Sequence, residues 1–416
     1  MSTLDPDRPG SQKQAPPPSA QPGDGAPEPA DAAPDELLSP LHELHVEAGA
    51  LFTDFAGWQM PLRYKSDLAE HHAVRRAAGL FDLSHMGEIV VVGPEAADAL
   101  DYALAGRLSA IAEGQAKYSL LLARDGGILD DLVVYRTGAD RYLVVANAAN
   151  RALVAEELRE RCSIFDCLVE DESDDIALIA LQGPLSAEIL RNLEGFDAAI
   201  LDGLGYYRCA ATEWLGHNVL LARTGYTGED GFEFYLAPDA APRLWKALLE
   251  TGGGSGLVPA GLAARDTLRL EAGMPLYGHE LTRQTFPVQA GLGRVVALSK
   301  EGDFVGRAAI EEGPAPDARV LVGLVAEGRR AGRAGYAIVL PDGAQIVGEV
   351  TSGALSPTLG VPISMAYVDP DFAAVGTLLH LDVRGTRVPA SVVALPFYSR
   401  SSQDSRSSQD REEKTS

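Results

Sequence analysis

Apolar and polar positions between Tyr118 and Tyr135 fall into two strand-like runs, Tyr118 to Ala123 and Ile128 to Tyr135. Between them stands Asp125-Gly126-Gly127, a combination that supplies the positive φ of a tight hairpin turn. Strand side chains alternate between faces. Strict alternation places Leu129, Asp131, Val133 and Tyr135 on one face and Ile128, Asp130, Leu132 and Val134 on the other. Both faces are otherwise apolar, so at least one of the adjacent carboxylates points to a poorly hydrated place. A carboxylate there needs a partner or a raised pKa, which is what a catalytic acid or base requires. The plainer alternative is a pair of solvated strand-end acids.

Helical and strand signals alternate along the rest of the chain. Ser39-Pro40 reads as an N-cap with proline at the first helical position, and Gly49 closes that short helix. Ser66 caps a second helix, expected to end at Gly79. Gly87 to Val92 reads as a strand, and Pro94 opens a helix to about Ala105. Residues 141–147 form a buried-type strand before a helix over about 148–161. A strand at Leu178 to Leu181 precedes a helix opened by Pro184. Strands at 218–224 and 231–236 flank a glycine-rich hairpin, and helices follow at about 240–250 and 260–272, the second stopped by Gly273. Gly252 to Gly256 reads as a flexible loop. From about residue 317, short β-type runs are punctuated by Pro341-Asp342-Gly343, Arg384-Gly385 and Pro389 with no convincing helix. A small all-β barrel or sandwich is expected there, through about residue 397. The fold class is α+β followed by β.

Composition narrows the picture. The 416 residues suffice for two or three domains. Residues 1–36 are acidic and rich in Pro and Ala, with too little apolar surface to offset ordering entropy, so they are expected to be disordered. They lack the apolar core of a signal peptide and the arginines of a transit peptide. Residues 399–416 contain Ser399–Asp404 repeated as Ser405–Asp410 and read as a second disordered, Ser-rich tail. The body divides into 37–315 and the β module 316–398. A net charge of −24 argues against a nucleic-acid partner, which needs a basic face. Cys162, Cys167 and Cys209 show neither CxxC nor zinc spacing, so no metal site is expected and a reducing cytoplasm is the simplest setting. No apolar run approaches about twenty residues, so no membrane span is expected. No Gly-x-Gly-x-x-Gly follows a strand and opens a helix, and there is no P-loop, which lowers dinucleotide and nucleoside-triphosphate chemistry.

Three further stretches carry chemistry. In residues 81–88, FDLSHMGE, Asp82, Ser84 and Met86 share one face of an extended segment, and His85 is expected to be a hydrogen-bonded structural histidine. His71-His72, on a predicted helix, reads as surface. In residues 223–233, RTGYTGEDGFE, three glycines allow close backbone approach to a ligand. Tyr226 there offers a stacking face with a polar tip, and Glu233 could accept hydrogen bonds from an amino-pyrimidine-like heterocycle. A tight loop with solvated acids is the alternative. Arg265 and Arg269 stand at i and i+4 on one helix face, where guanidinium groups can anchor an anionic ligand. Pairing with Asp266 or Glu271 is the competing explanation.

Together these stretches, with FAGWQMPL (55–62), GGILDDLVVY (126–135), VVANAAN (144–150), QGP (182–184), PAGLAARDTLRLEAGMPLYG (259–278) and EVTSGALSPTLG (349–360), resemble the aminomethyltransferase family, the T-protein of the glycine cleavage system. The likeness runs in order from about residue 40 to 398. It implies a three-domain cloverleaf with a central folate cavity and a C-terminal antiparallel β-barrel. It implies transfer of the aminomethyl carbon from the lipoyl arm of H-protein to tetrahydrofolate, giving 5,10-methylenetetrahydrofolate, ammonia and dihydrolipoyl H-protein. It makes the second acid of the pair, Asp131, catalytic. It lines the cavity with Met86, Tyr118, Tyr135, Asn147 and Tyr226, holds the pterin with Glu233 and meets the folate with Arg265; Arg400 is a loose C-terminal counterpart. Two relatives on the same scaffold stand as alternatives. A dimethylglycine- or sarcosine-type demethylation module usually carries a flavin domain, and no dinucleotide motif is present. A non-catalytic or iron–sulfur-assembly folate binder carries a Lys-Gly-Cys motif, and none of the cysteines here follows a glycine.

Overall fold

A computed structural model describes residues 36–343 and 345–400. The disorder expected for 1–36 and 399–416 therefore falls, apart from Glu36, Ser399 and Arg400, outside the described residues. The Asp-Gly-Gly hairpin forms as expected, Ala116–Leu122 against Ile128–Gly138. It belongs to a five-stranded antiparallel sheet continued by Arg141–Ala146, Gly87–Val92 and Leu168–Asp171. Helices Ala96–Ala103 and Arg151–Cys162 cover one face, packing Leu100, Val154 and Leu158 on Leu121, Leu132 and Val134.

The simple alternation fails at one residue. The ladder pairs Leu122 with Ile128 and Leu121 with Asp130, so Leu129 is an extra residue, a β-bulge. Leu129 joins the helix-covered core, while Ile128 turns to the side of Leu120 and Leu122. This reverses the expected placement of both residues and leaves Asp130 and Asp131 on the faces expected for them. The bulge sits where another segment crosses the hairpin. Ile128 N donates to Thr285 O at 3.2 Å, and a Cβ at Gly127 would run into the Arg283 carbonyl oxygen. Gly126 takes the positive φ of the turn (87°) and Gly127 permits the crossing.

A second sheet has six strands, in the order Cys209–Trp214, His217–Ala222, Gly231–Leu236, Ala177–Gln182, Ala78–Asp82 and Leu257–Pro259. Helix Ala241–Gly252 packs on it through Leu244 and Leu248. Ser66 caps the Asp67–Arg76 helix, its hydroxyl accepting from Ala69 N at 3.3 Å. That helix stops at Arg76, not at Gly79. Gly79 lies inside a strand, where a Cβ would collide with the Val74 side chain. The Leu51–Phe55 and Trp58–Arg63 hairpin was not foreseen. Its turn places Ala56 at φ 54° beside Gly57 at φ 84°, and alanine is not a residue that announces a left-handed turn.

The last region closes as a barrel rather than a sandwich. Strand Val320–Ala326 pairs both with Pro362–Val368 and with Thr386–Val393, sealing the six antiparallel strands around Val322, Leu324, Ile338 and Leu381. Leu270, on helix Leu262–Glu271, packs against Ile363 and Met365 and docks the barrel. The two open sheets meet through Phe81, Leu83, Val90, Tyr135, Val145 and Tyr235.

Candidate active site

A cavity of about 350 Å³ opens beside this seam. One wall comes from the hairpin. Asp131 Oδ2 accepts from Tyr118 Oη at 2.9 Å, and Oδ1 accepts from Asn147 Nδ2 at 2.9 Å. Tyr118 sits on the neighbouring strand, and Asn147 directly follows Arg141–Ala146. Asp130 points away from the cavity and is fully buried. Its Oδ1 accepts from Nδ2 of Asn147 at 2.8 Å and of Asn150 at 2.7 Å, and its Oδ2 accepts from Asn147 N at 3.0 Å. Burial, then the charge of Asp131, raises Asp130 to about 7 against these hydrogen bonds. Burial also raises Asp131, although Tyr118 and Asn147 pull the other way. A carboxyl whose proton affinity is raised in this way can take up and release a proton more readily than a solvated one.

The second wall carries Glu233. Its Oε2 gathers the hydroxyls of Tyr135 at 3.2 Å, of Tyr235 at 3.5 Å and of Thr224. Among the described residues Oε1 accepts no hydrogen bond, which leaves it to a ligand. Tyr135 also lines the cavity, and its hydroxyl meets that of Thr224 at 2.8 Å as well as Glu233.

Helix Leu262–Glu271 supplies the cation. Arg265 Cζ lies 4.9 Å from the centroid of the Tyr226 ring, and Tyr226 Oη donates to the Pro275 carbonyl. Arg265 Nη1 is sealed from water and makes no hydrogen bond among the described residues. Burial lowers its proton affinity. A buried guanidinium N–H without a partner is costly, and a carboxylate entering the cavity would relieve that cost.

Arg269, one turn on, is already occupied. It donates to Asp266 at 2.8 Å, Glu280 at 2.9 Å and Ser352 at 2.8 Å. The intramolecular explanation therefore holds for Arg269 and not for Arg265, and the partners are Asp266 and Glu280 rather than Glu271. Met86 lines the cavity. Arg400 is not part of the wall; its field falls on Glu229.

Two histidines differ from expectation. His85 lines the cavity, fully enclosed, with Nδ1 making no hydrogen bond among the described residues. Burial lowers its imidazole to about 4. The chain turns after Asp82, with Met86 N donating to Leu83 O at 2.9 Å, so residues 82–86 are not one extended face. Asp82 is instead held by Ser39 and His45. His71 is buried, bonded to Thr267 at 2.8 Å and Thr358 at 2.9 Å. Sequence reasoning also missed Phe55, Tyr207, Thr224, Tyr235 and the 273–277 segment of the wall. Tyr235 carried a usable signal, since it shares a strand face with Glu233.

Comparison with known proteins places the fold in a family. Residues 41–300 match the GCVT N-terminal domain, and residues 319–399 match the glycine cleavage T-protein C-terminal barrel domain. An aminomethyltransferase of Cutibacterium acnes is 58% identical over 368 residues, covering 87% of this chain and 98% of the relative. Another, of Saccharopolyspora erythraea, is 58% identical over 363 residues with the same coverage. The crystal structure of glycine cleavage system aminomethyltransferase T from Bartonella henselae aligns with a TM-score of 0.80 at 38% identity, covering 88% of this chain and 98% of that one. With both of its regions matched in order and nearly the whole length aligned, the chain belongs to the aminomethyltransferase family of glycine cleavage T-proteins.

Proposed function

We propose that this aminomethyltransferase moves the methylene of an S-aminomethyldihydrolipoyl group, carried by a lipoylated H-protein, onto tetrahydrofolate. The observation that supports this reading most is Asp131, a carboxyl with raised proton affinity in a cavity that also holds the unpaired Nη1 of Arg265. The residues suit a folate: Glu233 Oε1 can accept pterin N–H groups, and Arg265 can receive the carboxylate of its anionic tail. Tetrahydrofolate supplies the nitrogens that receive the methylene. That carbon leaves its amine nitrogen and its sulfur, and the two protons lost from folate nitrogen end on ammonia and on the thiol.

Asp131 orients the attacking nitrogen and takes its proton, help worth about 10²–10⁴-fold. Tyr118 and Asn147 hold the carboxyl for that task. Met86, Tyr118, Tyr135, Asn147 and Tyr226 shape the folate cavity. The folate-binding region is residues 37–315 and the barrel is 316–398. No helix among the described residues is long and apolar enough to cross a membrane. The free cysteines suit the reducing cytoplasm we assign.

The test is formation of ammonia and 5,10-methylenetetrahydrofolate from aminomethylated lipoyl H-protein, with and without tetrahydrofolate. Turnover that depends on folate is expected. Tight folate binding with no turnover from that donor would overturn the reading, and N-methylated amines would then be the donors to try.

A further inference from the structure

Asp130 is the buried acid that this transfer leaves without a task. It is absent from the cavity wall, yet three donors converge on it. The most informative is Asn147 Nδ2, which lies 2.8 Å from Asp130 Oδ1 and 2.9 Å from Asp131 Oδ1. A side-chain amide has two N–H donors. With one directed to Asp130 and the other shared between the Asp131 carboxylate and the Asp131 backbone carbonyl, 3.0 Å away, the plane of the amide is set from behind. Asn147 N, bonded to Asp130 Oδ2 at 3.0 Å, pins the same residue at its backbone. Asn150 Nδ2, at 2.7 Å, holds Asp130 from the following helical turn.

We propose that Asp130 is a positioning residue for the transfer: it clamps the Asn147 amide, and that amide aims the Asp131 carboxyl into the cavity. The inference rests on the reading of Asp131 as the reacting carboxyl. Asparagine at position 130 is nearly isosteric but brings an NH₂ among three donors, so at least one hydrogen bond must break.

A charge effect accompanies the clamp. Four phenols feel the charge of the pair: Tyr118 from the adjacent strand, Tyr207 and Tyr226 from loops of the six-stranded sheet, and Tyr277 from the segment after helix Leu262–Glu271; His85, Glu233, Arg265, Asp266 and Arg269 line the same cavity as Asp131. Burial holds the four phenols neutral in the physiological range. Directly beside Asp131 in the strand, the charge of Asp130 varies, its ionisation raised to about 7. Two coupled carboxyls titrate as a pair, so the wild-type pH profile should carry an inflection near neutrality that belongs to the pair and depends on Asp130.

The experiment compares wild type, Asp130→Asn, Asn150→Ala and Asp131→Asn in kcat against pH and in folate affinity, using aminomethylated lipoyl H-protein. Asp130→Asn is expected to lower kcat by roughly ten- to a hundredfold, the scale of a small misplacement of a reacting group. Folate Kd should stay within about twofold of wild type, and the inflection should vanish. Asn150→Ala keeps both carboxyls and removes a donor that favours charged Asp130, so the inflection should move to higher pH. A folded Asp130→Asn enzyme with an unchanged profile, or with its loss entirely in folate Kd, overturns the clamp. If Asp130→Asn does not fold, Asn150→Ala decides, and an inflection that stays in place overturns it. Full activity in Asp131→Asn would overturn the underlying reading instead. An inactive Asp131→Asn beside an unchanged Asp130→Asn profile would overturn only the clamp.

Discussion

Tyr135 Oη donates to Glu233 Oε2 at 3.2 Å, joining the five-stranded to the six-stranded sheet at the cavity wall. The bond fixes Glu233 so that Oε1 is presented to a ligand. Glu233→Gln should weaken tetrahydrofolate binding by roughly ten- to a hundredfold, since hydrogen bonds to charged groups contribute about 1.5–3 kcal/mol. Turnover at saturating folate should fall less than affinity does. Calorimetric titration separates the two. Unchanged affinity with reduced stability would mean that Glu233 serves the sheet contact alone.

Asp131→Asn removes the carboxylate proposed as proton acceptor and preserves the shape of the side chain. Folate should bind nearly as in wild type, while turnover should drop by about 10²–10⁴-fold. Single-turnover measurements with preformed folate complex will show it. Turnover equal to wild type would remove Asp131 from the mechanism.

Arg265→Ala deletes the one cavity cation whose Nη1 makes no hydrogen bond among the described residues. Folate affinity should fall about tenfold or more, as expected for a charge-assisted contact. The rate of the bound complex should change less. Arg269→Ala should behave differently. It breaks bonds to Asp266, Glu280 and Ser352, so thermal stability should be the first property lost. Arg265→Ala with wild-type folate Kd would refute the anchor.

Glu271 makes stability depend on acid. Burial would raise this carboxyl, yet His71, Arg75 and Ser356 together hold it at about 2, below its ordinary 4.5. A depressed carboxyl contributes stability that is complete above the unfolded value and is lost as pH falls through the folded one. Its contribution should therefore drain away between 4.5 and about 2, on the order of 3 kcal/mol at about 1.4 kcal/mol per unit. Asp130 works in the opposite sense at higher pH, withdrawing stability as pH rises from 3.8 toward about 7. Urea midpoints of wild type and Glu271→Gln across the acid range will test this. The variant should be less stable near neutrality and should lose less on acidification. Parallel curves for the two proteins would contradict it.

What could be read from the sequence was local. Period-two alternation and the Asp-Gly-Gly turn located the hairpin and put the two acids on opposite faces. The glycine-rich stretch marked the loop that leads to Glu233. Illegible features depended on distant partners. Arg265 and Arg269 share a helix face, and only Glu280 and Ser352, brought in by the fold, tell them apart. His71 looked like a surface residue because Thr267 and Thr358, which enclose it, lie far along the chain. The Leu129 bulge was invisible because the strand's own pattern fits strict pairing, and only the 282–286 crossing reveals the displaced register.

That crossing has a consequence in time. Thr285 follows Ile128 by well over a hundred residues, so during synthesis at about 5–20 residues per second the hairpin tip waits roughly ten to thirty seconds for its cover. A nascent chain halted near residue 280 would already contain Asp131, Glu233 and Arg265 but would lack the segment that seats Gly127 and Ile128. The chemical residues are thus translated early and become a working site late. A truncated product of this kind would carry Asp131, Glu233 and Arg265 without the cover of the hairpin tip.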